Sequence, residues 1–424
     1  MNILFLFYDF IFFLGFILYL PFYIKRKKIN LSAIKEKFGF FPGVWFENSI
    51  WIQVVSVGEA NVIEKLIHRL REVYDYPIVI TTTTLTGNRL AKKKYASSAK
   101  ILYFPFDISL VLRKVIKILN PKVFIAVETE IWPNLFYNLR QKHIPIVLIN
   151  GRVSDKAFKH YNLVRPIIKR LLNLCNHIGV QNAYYKDKFI SLGCAKDKIT
   201  ISGNMKFDSI CIDEKHLGCL KQKFLPILKR KDSFLLVAGS THHPEEETIF
   251  DIYKSLISVG KNISLLIAPR HIERIPILEK QINALGFTPI KISQINEPTN
   301  DKNNIFLLDT IGELLYFYSL ADICFVGGSL ANYGGHNILE PIYFLKPTVF
   351  GPYMDNFKDV EEIILTKGAG IQVNDNIKLK EVLSQLIDDQ TLRSSLRVKC
   401  LDVFEEERKS LDENLKIILK CLPR

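Results

Sequence analysis

Short apolar runs alternate along the chain with longer stretches in which apolar residues recur at helical spacing. In the first half the apolar runs are Trp51–Val55, Pro77–Thr82, Ile101–Tyr103, Val123–Val127, Ile146–Ile149 and His177–Val180. The helical stretches between them are Asn61–Glu72, Gly87–Tyr95, Leu110–Leu119, Trp132–Gln141 and Tyr161–Leu172. Strands that alternate with helices in this way predict a parallel sheet with helices on both of its faces.

A second series of the same kind begins near Asp232. Its predicted strands are Phe234–Ala238, Ser264–Ala268, Ile305–Leu308, Ala321–Val326 and Thr348–Phe350. The stretch Asp208–Lys231 is polar and rich in lysine, and we interpret its residues 211–231 as a linker. The pattern predicts an α/β fold with GT-B architecture, in which two Rossmann-like domains, residues 29–210 and 232–424, face each other across a cleft. Ligands of such sheets gather at the carboxyl ends of the strands.

The N-terminal stretch Ile3–Ile24 is almost continuously apolar and aromatic, and Asp9 is its only charged residue. About 20 such residues suffice to cross a bilayer, and the basic run Lys25–Lys28 that follows should stay in the cytoplasm. Residues 1–28 are therefore predicted to be a single-pass anchor helix, with the rest of the chain on the cytoplasmic side of the inner membrane. Asp9 and Pro21 leave open a helix that lies in one leaflet. A cleaved signal peptide is disfavoured, because no basic region precedes the run.

The composition narrows the range of partners. The 424 residues carry a formal net charge of +14, which suits nucleic acid, an anionic membrane or an anionic substrate. The sequence has no arginine-rich stripe with interleaved aromatic residues, so nucleic acid is not an expected partner. The seven cysteines are scattered without CxxC pairs or zinc-like spacing, which indicates reduced packing residues of a cytosolic domain.

The stretch Gly327–Pro341 (GGSLANYGGHNILEP) follows the predicted strand Ala321–Val326 and leads into helical spacing at Ile338–Phe344. A strand, a glycine-rich turn and a helix N-terminus are typical of phosphate sites, because free N–H groups point outward and the helix dipole favours an anion. Glu340, about one turn into the helix, suits sugar hydroxyls such as those of a ribose. The alternative is an ordinary joint between a strand and a helix.

Acidic residues follow two of the predicted strands. Glu59 comes just after a glycine turn at the first strand, where it is either a general base or a helix first-turn acid without a chemical role. Glu128 and Glu130 follow the strand Val123–Val127. We expect at most one of the two to face the cleft.

Polar residues follow three further strands. They are Arg152 within Asn150–Ser154, Ser240 within Gly239–His242, and Arg270 within Pro269–His271. Arginine is suited to clamp a phosphate. The isolated His143 and His177 are interpreted as packing or surface residues.

The short sequences SVGE, ETEIWPN, NGRVS, GNMKFD, GST-H, PRH-ER and GGHN-LEP occur in the order found in bacterial Kdo transferases, glycosyltransferase family 30. From roughly Phe38 to Asp359 the chain resembles this family, and ETEIWPN with GGHN-LEP is a highly specific combination. Members of the family move 3-deoxy-D-manno-oct-2-ulosonic acid (Kdo) from CMP-Kdo to a lipid A precursor (lipid IVA) in lipopolysaccharide core biosynthesis. The predicted N-terminal anchor also fits the family.

The resemblance implies roles for individual residues. Glu59 is implied to be the catalytic base, and Glu128 a second acidic residue on the acceptor side. The implied contacts of the CMP-Kdo donor are Ser240, Arg270, Gly328, Ser329, Asn337 and Glu340. Ser56, Gly58, Arg152 and Lys206 are assigned to the acceptor side and the rest of the cleft.

The expected chemistry is an inverting displacement at the anomeric carbon, in which Glu59 takes the proton of the acceptor hydroxyl. The leaving group is a nucleoside monophosphate, which backbone amides and Arg270 can stabilise, and the sequence has no D-x-D pair, so neither a metal nor another cofactor is expected. The alternatives are a GT-B transferase that uses a UDP-sugar, a nucleotide-sugar 2-epimerase, and a non-catalytic membrane-surface protein. The predicted membrane anchor argues against the epimerase, and the sequences SVGE and ETEIWPN argue against both the epimerase and the UDP-sugar transferase. A non-catalytic membrane-surface protein would not need acidic residues at the strand ends.

Overall fold

The computed structural model describes residues 8–9, 15, 31–55, 57–228, 233–295, 304–407 and 409–422. The chain divides into two compact units. The first unit is Met1–Ser209 with Glu407–Arg424, and the second unit is Ile210–Glu406.

The first unit is built on a seven-stranded parallel sheet with the strand order β3-β2-β1-β4-β5-β6-β7. Its strands are β1 (Ser49–Val54), β2 (Ile78–Thr82), β3 (Lys100–Tyr103), β4 (Pro121–Val127), β5 (Ile146–Gly151), β6 (His177–Val180) and β7 (Ile199–Ile201). Its helices up to Ser209 are α1 (Leu31–Lys37), α2 (Val57–Val62), α3 (Glu64–Val73), α4 (Leu85–Tyr95), α5 (Ser109–Leu119), α6 (Pro133–Gln141), α7 (Asp155–Leu163), α8 (Arg165–Leu174) and α9 (Ala183–Ser191).

The second unit repeats this plan with the strand order β10-β11-β9-β8-β12-β13-β14, again parallel throughout. Its strands are β8 (Phe234–Thr241), β9 (Ile263–Pro269), β10 (Thr288–Lys291), β11 (Asn304–Leu307), β12 (Ile323–Val326), β13 (Thr348–Phe350) and β14 (Ile371–Gln372). Its helices are α10 (Glu214–Leu228), α11 (Glu245–Ser258), α12 (Ile275–Ala284), α13 (Leu314–Leu320), α14 (Leu339–Tyr343), α15 (Lys358–Lys367), α16 (Asn376–Asp388) and α17 (Gln390–Glu407), and α18 (Ser410–Cys421) follows.

Helices cover both faces of the first sheet, and alternate residues of its central strands explain why. Trp51 of β1 joins one apolar cluster, whereas its neighbours Ile50 and Ile52 join another. Phe124 and Ile125 of β4 divide between the same two clusters. Because successive side chains of a strand point to opposite faces, a strand that is apolar at every position needs a packed layer on each side.

Each sheet contains one point where the direction of strand addition reverses. In the first sheet β1 and β4 are neighbours, and the chain adds strands outward from them in opposite directions. In the second sheet β8 and β12 are neighbours in the same way, although β11 lies between β9 and β10. Open α/β sheets bind ligands in the crevice that such a reversal leaves at the carboxyl ends of the strands. The residues to weigh are therefore those that follow β1, β4, β8 and β12.

The structure differs from the predicted domain boundaries. Residues 214–228 of the predicted linker 211–231 form helix α10, whose buried face includes Leu217, Leu220 and Phe224. This three-and-four spacing lies among lysines, which disguise it in the sequence. The structure also has a strand beyond His177–Val180, the last strand predicted for the first sheet, because the three-residue β7 pairs with it.

The end of the chain, predicted to belong to the second domain 232–424, returns to the first unit at Glu407. Leu415 and Ile418 of α18 pack in the same apolar cluster as β1, and the Asn414 Oδ1 accepts a hydrogen bond from the backbone N–H of Asn150 at 3.3 Å. The returning helix thus covers the face of the first sheet beside β5, a long-range contact that chain order does not reveal.

Most of the predicted membrane anchor, residues 1–28, lies outside the described residues. Only Tyr8, Asp9 and Gly15 of that segment are described. In the part of the chain that is described, we find no helix with both the length and the apolar character needed to cross a membrane.

Candidate functional site

Glu59 lies in the first turn of α2, directly after β1 at the reversal point of the first sheet. Its side chain is only 7% exposed, and its Oε2 accepts a hydrogen bond from the backbone N–H of Val55 at 2.7 Å. This bond holds the carboxylate back over the end of the strand and fixes its orientation. The adjacent Gly58 is exposed, and the predicted cleft residue Ser56 lies outside the described residues.

Glu128 and Arg152 follow the neighbouring strands β4 and β5 and form an ion pair. The Arg152 Nε donates to the Glu128 Oε2 at 2.9 Å, and the Glu128 side chain is 15% exposed. Glu128 has a left-handed backbone with φ of 62°, and so does Asn150 in β5 with φ of 53°. Such conformations cost free energy for non-glycine residues and cluster at functional sites. The structure therefore brings together two of the residues predicted on the acceptor side.

Glu130 belongs to the same loop, and its carboxyl group is perturbed by burial. The Trp132 Nε1 donates to the Glu130 Oε2 at 2.8 Å. Loss of hydration raises the pKa of Glu130 to about 7, and the nearby charge of Glu128 adds to the shift. A carboxyl group that titrates near neutral pH is suited to proton transfer.

Lys206 lies in a turn after β7, and its side chain is half-buried. The preceding residue, Met205, donates its backbone N–H to the Asn150 Oδ1 at 3.0 Å. The turn that contains Lys206 is thus attached to the end of β5 through the neighbouring Met205.

In the second unit, the glycine-rich loop after β12 differs from the prediction. The N–H groups of Gly328, Ser329 and Leu330 do not point outward, because the Glu245 carboxylate accepts from them at 2.7, 2.9 and 2.9 Å. Glu245 also accepts from the backbone of His242 at 3.0 Å and is 2% exposed. A carboxylate of the protein itself therefore satisfies the amides at the first glycine pair of this loop.

Ser329, a predicted donor contact, uses its hydroxyl within the protein. The hydroxyl donates to the Val326 carbonyl at 2.5 Å and accepts from the Gly351 N–H at 2.8 Å. Gly328 is needed for its backbone, with φ of 66°, and an added Cβ would lie 2.8 Å from the ring of His336. Both residues shape the loop, and their side-chain and N–H groups are engaged within the protein.

A pair of histidines lies against this loop. The Nε2 atoms of His242 and His336 are 2.9 Å apart, so one imidazole donates and the other accepts. The ring of His242 also stacks on Tyr333 at a centroid distance of 4.1 Å. Burial lowers the pKa of each histidine to about 4, and the positive charge of Arg270 contributes to both shifts. The pair is neutral at physiological pH, and sequence reasoning did not select either residue.

A cleft of about 300 Å³ opens at the carboxyl ends of β8 and β9. It is lined by Ser240, Ala268, Pro269, Arg270, His271, Ile272, Glu273, Leu308, Thr310, Ile311, Gly312 and Leu314. Ser240 has a left-handed backbone with φ of 55°, and the Arg270 side chain is exposed. Ser240 and Arg270, two of the predicted donor contacts, therefore line one cleft, and this cleft has both polar and apolar walls.

Asn337 and Glu340 contact each other at the start of the short helix α14. The Asn337 Nδ2 donates to the Glu340 Oε1 at 3.1 Å, and the Asn337 Oδ1 accepts from the backbone N–H of Leu339 at 3.1 Å. Loss of hydration raises the pKa of Glu340 to about 7, although the hydrogen bond from Asn337 opposes the shift. The carboxyl group is held by a partner that leaves part of its hydrogen-bonding capacity for a ligand.

Comparison with known proteins places the chain in a family. The family model described as 3-deoxy-D-manno-octulosonic-acid transferase (kdotransferase) matches residues 32–209. A 3-deoxy-D-manno-octulosonic acid transferase of Haemophilus influenzae is 31% identical over 399 residues, which cover 93% of this chain and 92% of that protein. The chain belongs to the Kdo transferase family. It is therefore a glycosyltransferase, as the sequence analysis predicted.

Another relative of this Kdo transferase is longer. A bifunctional glycosyltransferase/methyltransferase of Fusobacterium nucleatum is 34% identical over 394 residues, or 92% of this chain. The chain spans 60% of the length of that relative.

Two solved structures share the fold of this Kdo transferase. UDP-GlcNAc 2-epimerase from Neisseria meningitidis, bound to UDP-GlcNAc, has a TM-score of 0.58 at 15% identity and covers 88% of this chain and 99% of its own. A glycosyltransferase from Rickettsia africae has a TM-score of 0.55 at 13% identity and covers 89% of this chain and 100% of its own. At these identities the likeness concerns the fold alone, and it confirms two parallel-sheet α/β domains of the GT-B class.

Proposed function

We propose that this Kdo transferase moves Kdo from CMP-Kdo to the lipid A precursor lipid IVA, with inversion at the anomeric carbon and with Glu59 as general base. The observation that carries the proposal is the 31% identity to the Haemophilus influenzae transferase over more than nine-tenths of both chains. The residues at the reversal point of each sheet support the assignment of donor binding to one unit and acceptor binding to the other.

The second unit is assigned the donor. Arg270 and His271 in the cleft offer positive charge and hydrogen-bond donors to the phosphate of CMP, and the His242–His336 pair lies beside them. Because Glu245 occupies the amides of Gly328 and Ser329, the phosphate is assigned to these side chains and not to those amides. The Glu340 carboxylate is assigned as the acceptor of hydrogen bonds from the ribose hydroxyls, which can replace the hydration that burial removes.

The first unit is assigned the acceptor and the proton transfer. The acceptor oxygen attacks the anomeric carbon of Kdo and forms the new C–O bond, while the bond from that carbon to the phosphate oxygen breaks and its electron pair leaves with CMP. The acceptor proton passes to Glu59. Glu130 and Glu128, which is paired with Arg152, complete the acidic group at this edge of the sheet. The positive charge of Arg152 attracts the phosphates of the acceptor.

Attachment to the inner membrane on the cytoplasmic side is part of the proposal. Beside the predicted anchor, Phe40 and Trp45 are 57% and 62% exposed, and the Lys114 ammonium lies 3.7 Å from the centroid of the Phe40 ring. Exposed aromatic rings next to cations suit the interface of an anionic bilayer. With residues 1–28 removed from both proteins, sedimentation with anionic vesicles should therefore be weaker for the Phe40→Ser and Trp45→Ser double variant than for the chain without these substitutions. Equal binding would remove these two residues from the membrane surface.

The reaction is tested by incubating the full chain with CMP-Kdo and lipid IVA and by weighing the lipid product. The proposal predicts a mass increase of one or more Kdo units and the release of an equal number of CMP molecules. Parallel incubations with UDP-sugars test the other GT-B activity. Sugar transfer from a UDP-sugar, or no transfer from CMP-Kdo, would contradict the proposal.

A further inference from the structure

Helices α5 and α6 both begin at residues that cannot cap them. Ile108 precedes α5 and Trp132 precedes α6, and neither makes a side-chain cap hydrogen bond. The first N–H groups of a helix lack partners within the helix and need acceptors from elsewhere. At both helices the acceptor is an aspartate that is distant in sequence.

Asp107 supplies the cap of α6, and Asp9 contacts the start of α5. The Asp107 carboxylate accepts from the backbone N–H groups of Asn134 and Leu135 at 3.1 and 2.9 Å. The Asp9 Oδ1 accepts from the backbone N–H of Ser109 at 3.1 Å, one hundred residues away in the chain. An aspartate from the N-terminal segment therefore takes the place of a local cap.

The buried side chain of Asn134 joins the two aspartates. Its Nδ2 donates to the same Asp9 Oδ1 at 2.6 Å and to the Asp107 carbonyl at 2.7 Å. The hydroxyl of Tyr8 also hydrogen-bonds to the Asp107 carboxyl group. Asn134 is the last residue of ETEIWPN, the loop that begins with Glu128 and contains Glu130. The N-terminal segment is thus hydrogen-bonded to the loop that carries the acidic residues.

We propose that Asp9 is a positioning residue for the acidic loop Glu128–Asn134. Asp9 is the only charge within Ile3–Ile24, and a carboxylate in such an apolar stretch is costly unless it is paired. Its two hydrogen bonds to Ser109 and Asn134 account for its presence there, and they favour the alternative helix in one leaflet over a helix that crosses the bilayer. The effect on catalysis rests on the proposed function, because it requires that the loop acts in the transfer.

The test compares Asp9→Ala, Asn134→Ala and the double variant, all in the full chain. We expect each single variant to lower kcat about 10- to 100-fold with KM for CMP-Kdo unchanged, since a small displacement of catalytic groups costs this much. The double variant should be no slower than the slower single variant, because both remove the same contact. Asp9→Asn retains the Oδ1 acceptor and should restore kcat to within about threefold of wild type.

The matched control is Asp375→Ala. Asp375 caps α16 in the second unit by accepting from the Lys378 N–H at 2.8 Å, so its loss removes a similar hydrogen bond away from the loop. Amide hydrogen exchange should accelerate at Ser109 in Asp9→Ala and not in the control. This readout does not depend on Kdo transfer.

The outcomes separate the two proposals. Faster exchange at Ser109 with an unchanged kcat would mean that Asp9 only caps α5, and it would overturn the positioning role. Unchanged exchange at Ser109 would overturn the contact itself. If the wild-type protein transfers no Kdo, the proposed function fails, and the positioning role fails with it, whereas the exchange result still decides whether Asp9 holds the start of α5.

Discussion

The carboxylate of Glu245 lies 2.7 Å from the backbone nitrogen of Gly328 and closes the glycine-rich loop that follows β12. The loop has the composition of a phosphate site, but the amides at its first glycine pair are satisfied by a side chain from the start of α11. This links the ends of β8 and β12 at the reversal point of the second sheet. The shape of the loop at this point therefore depends on Glu245.

Glu245→Gln should destabilise the second unit and weaken CMP binding. The substitution removes the charge that holds these amides and turns one acceptor oxygen into a donor that faces other donors. Hydrogen bonds to charged groups contribute about 1.5–3 kcal/mol each, so the midpoint of unfolding should fall clearly in denaturant titrations. The control is Glu247→Gln, whose half-exposed side chain lies on the same helix. Equal unfolding midpoints for the two variants would mean that the amides do not depend on the charge.

Arg270→Lys should weaken CMP binding by about 1.5–3 kcal/mol, since a lysine cannot reproduce two parallel hydrogen bonds to one phosphate. Isothermal titration calorimetry with CMP and with cytidine measures the effect. The loss should appear with CMP and be absent with cytidine, which has no phosphate. Lys254→Ala, an exposed charge on α11, is the control for net charge. A loss of the same size with cytidine would move Arg270 away from the phosphate.

Glu340→Gln should separate stability from binding. Because the folded-state pKa of Glu340 is raised from 4.5 to about 7, the folded protein holds this proton between these pH values while the unfolded chain releases it. The free energy of unfolding therefore falls as pH rises through that window, by about 3 kcal/mol at most for this group. The glutamine stays neutral and avoids this loss.

We therefore expect Glu340→Gln to match wild type in thermal stability near pH 4.5, to exceed it at pH 8, and to bind CMP more weakly at pH 8. Glu362→Gln on α15 changes an exposed carboxyl group and serves as the control. A variant that is less stable than wild type at pH 8, with unchanged CMP affinity, would remove Glu340 from the donor site.

The strands were largely predictable because a parallel strand is apolar at consecutive positions, as in Ile146–Ile149, which lies within β5. The helical face of α10 was missed because lysines surround its apolar stripe, and the return of α18 to the first unit was missed because chain order gives no sign of it. At the site, sequence placed Glu59, Glu128 and Arg270 at strand ends. It could not show that Glu245 fills the glycine loop, since that contact joins residues more than eighty positions apart.

The same limit applies to the histidine pair. His242 and His336 are 94 positions apart in the chain, and each is an ordinary polar residue beside a glycine-containing turn. Only the folded second unit shows that their ring nitrogens share one proton. The raised pKa of Glu130 was also hidden, because burial by surrounding residues, and not the local sequence, removes its water.

The most direct test of the account is the initial rate of Kdo transfer by Glu59→Gln, measured with CMP affinity and thermal stability on the same preparation. The glutamine keeps an acceptor for the Val55 N–H, so the fold should persist. The account predicts a rate about 10²–10⁴-fold lower with CMP affinity unchanged. Glu64→Gln, in the first turn of α3, is the control, and Glu128→Gln and Glu130→Gln are measured in parallel. The account is contradicted if Glu59→Gln transfers Kdo at a near-normal rate and loses at most about 1 kcal/mol of stability, as expected for a helix first-turn acid. A large fall in the rate of Glu128→Gln or Glu130→Gln would then move the base to the ETEIWPN loop.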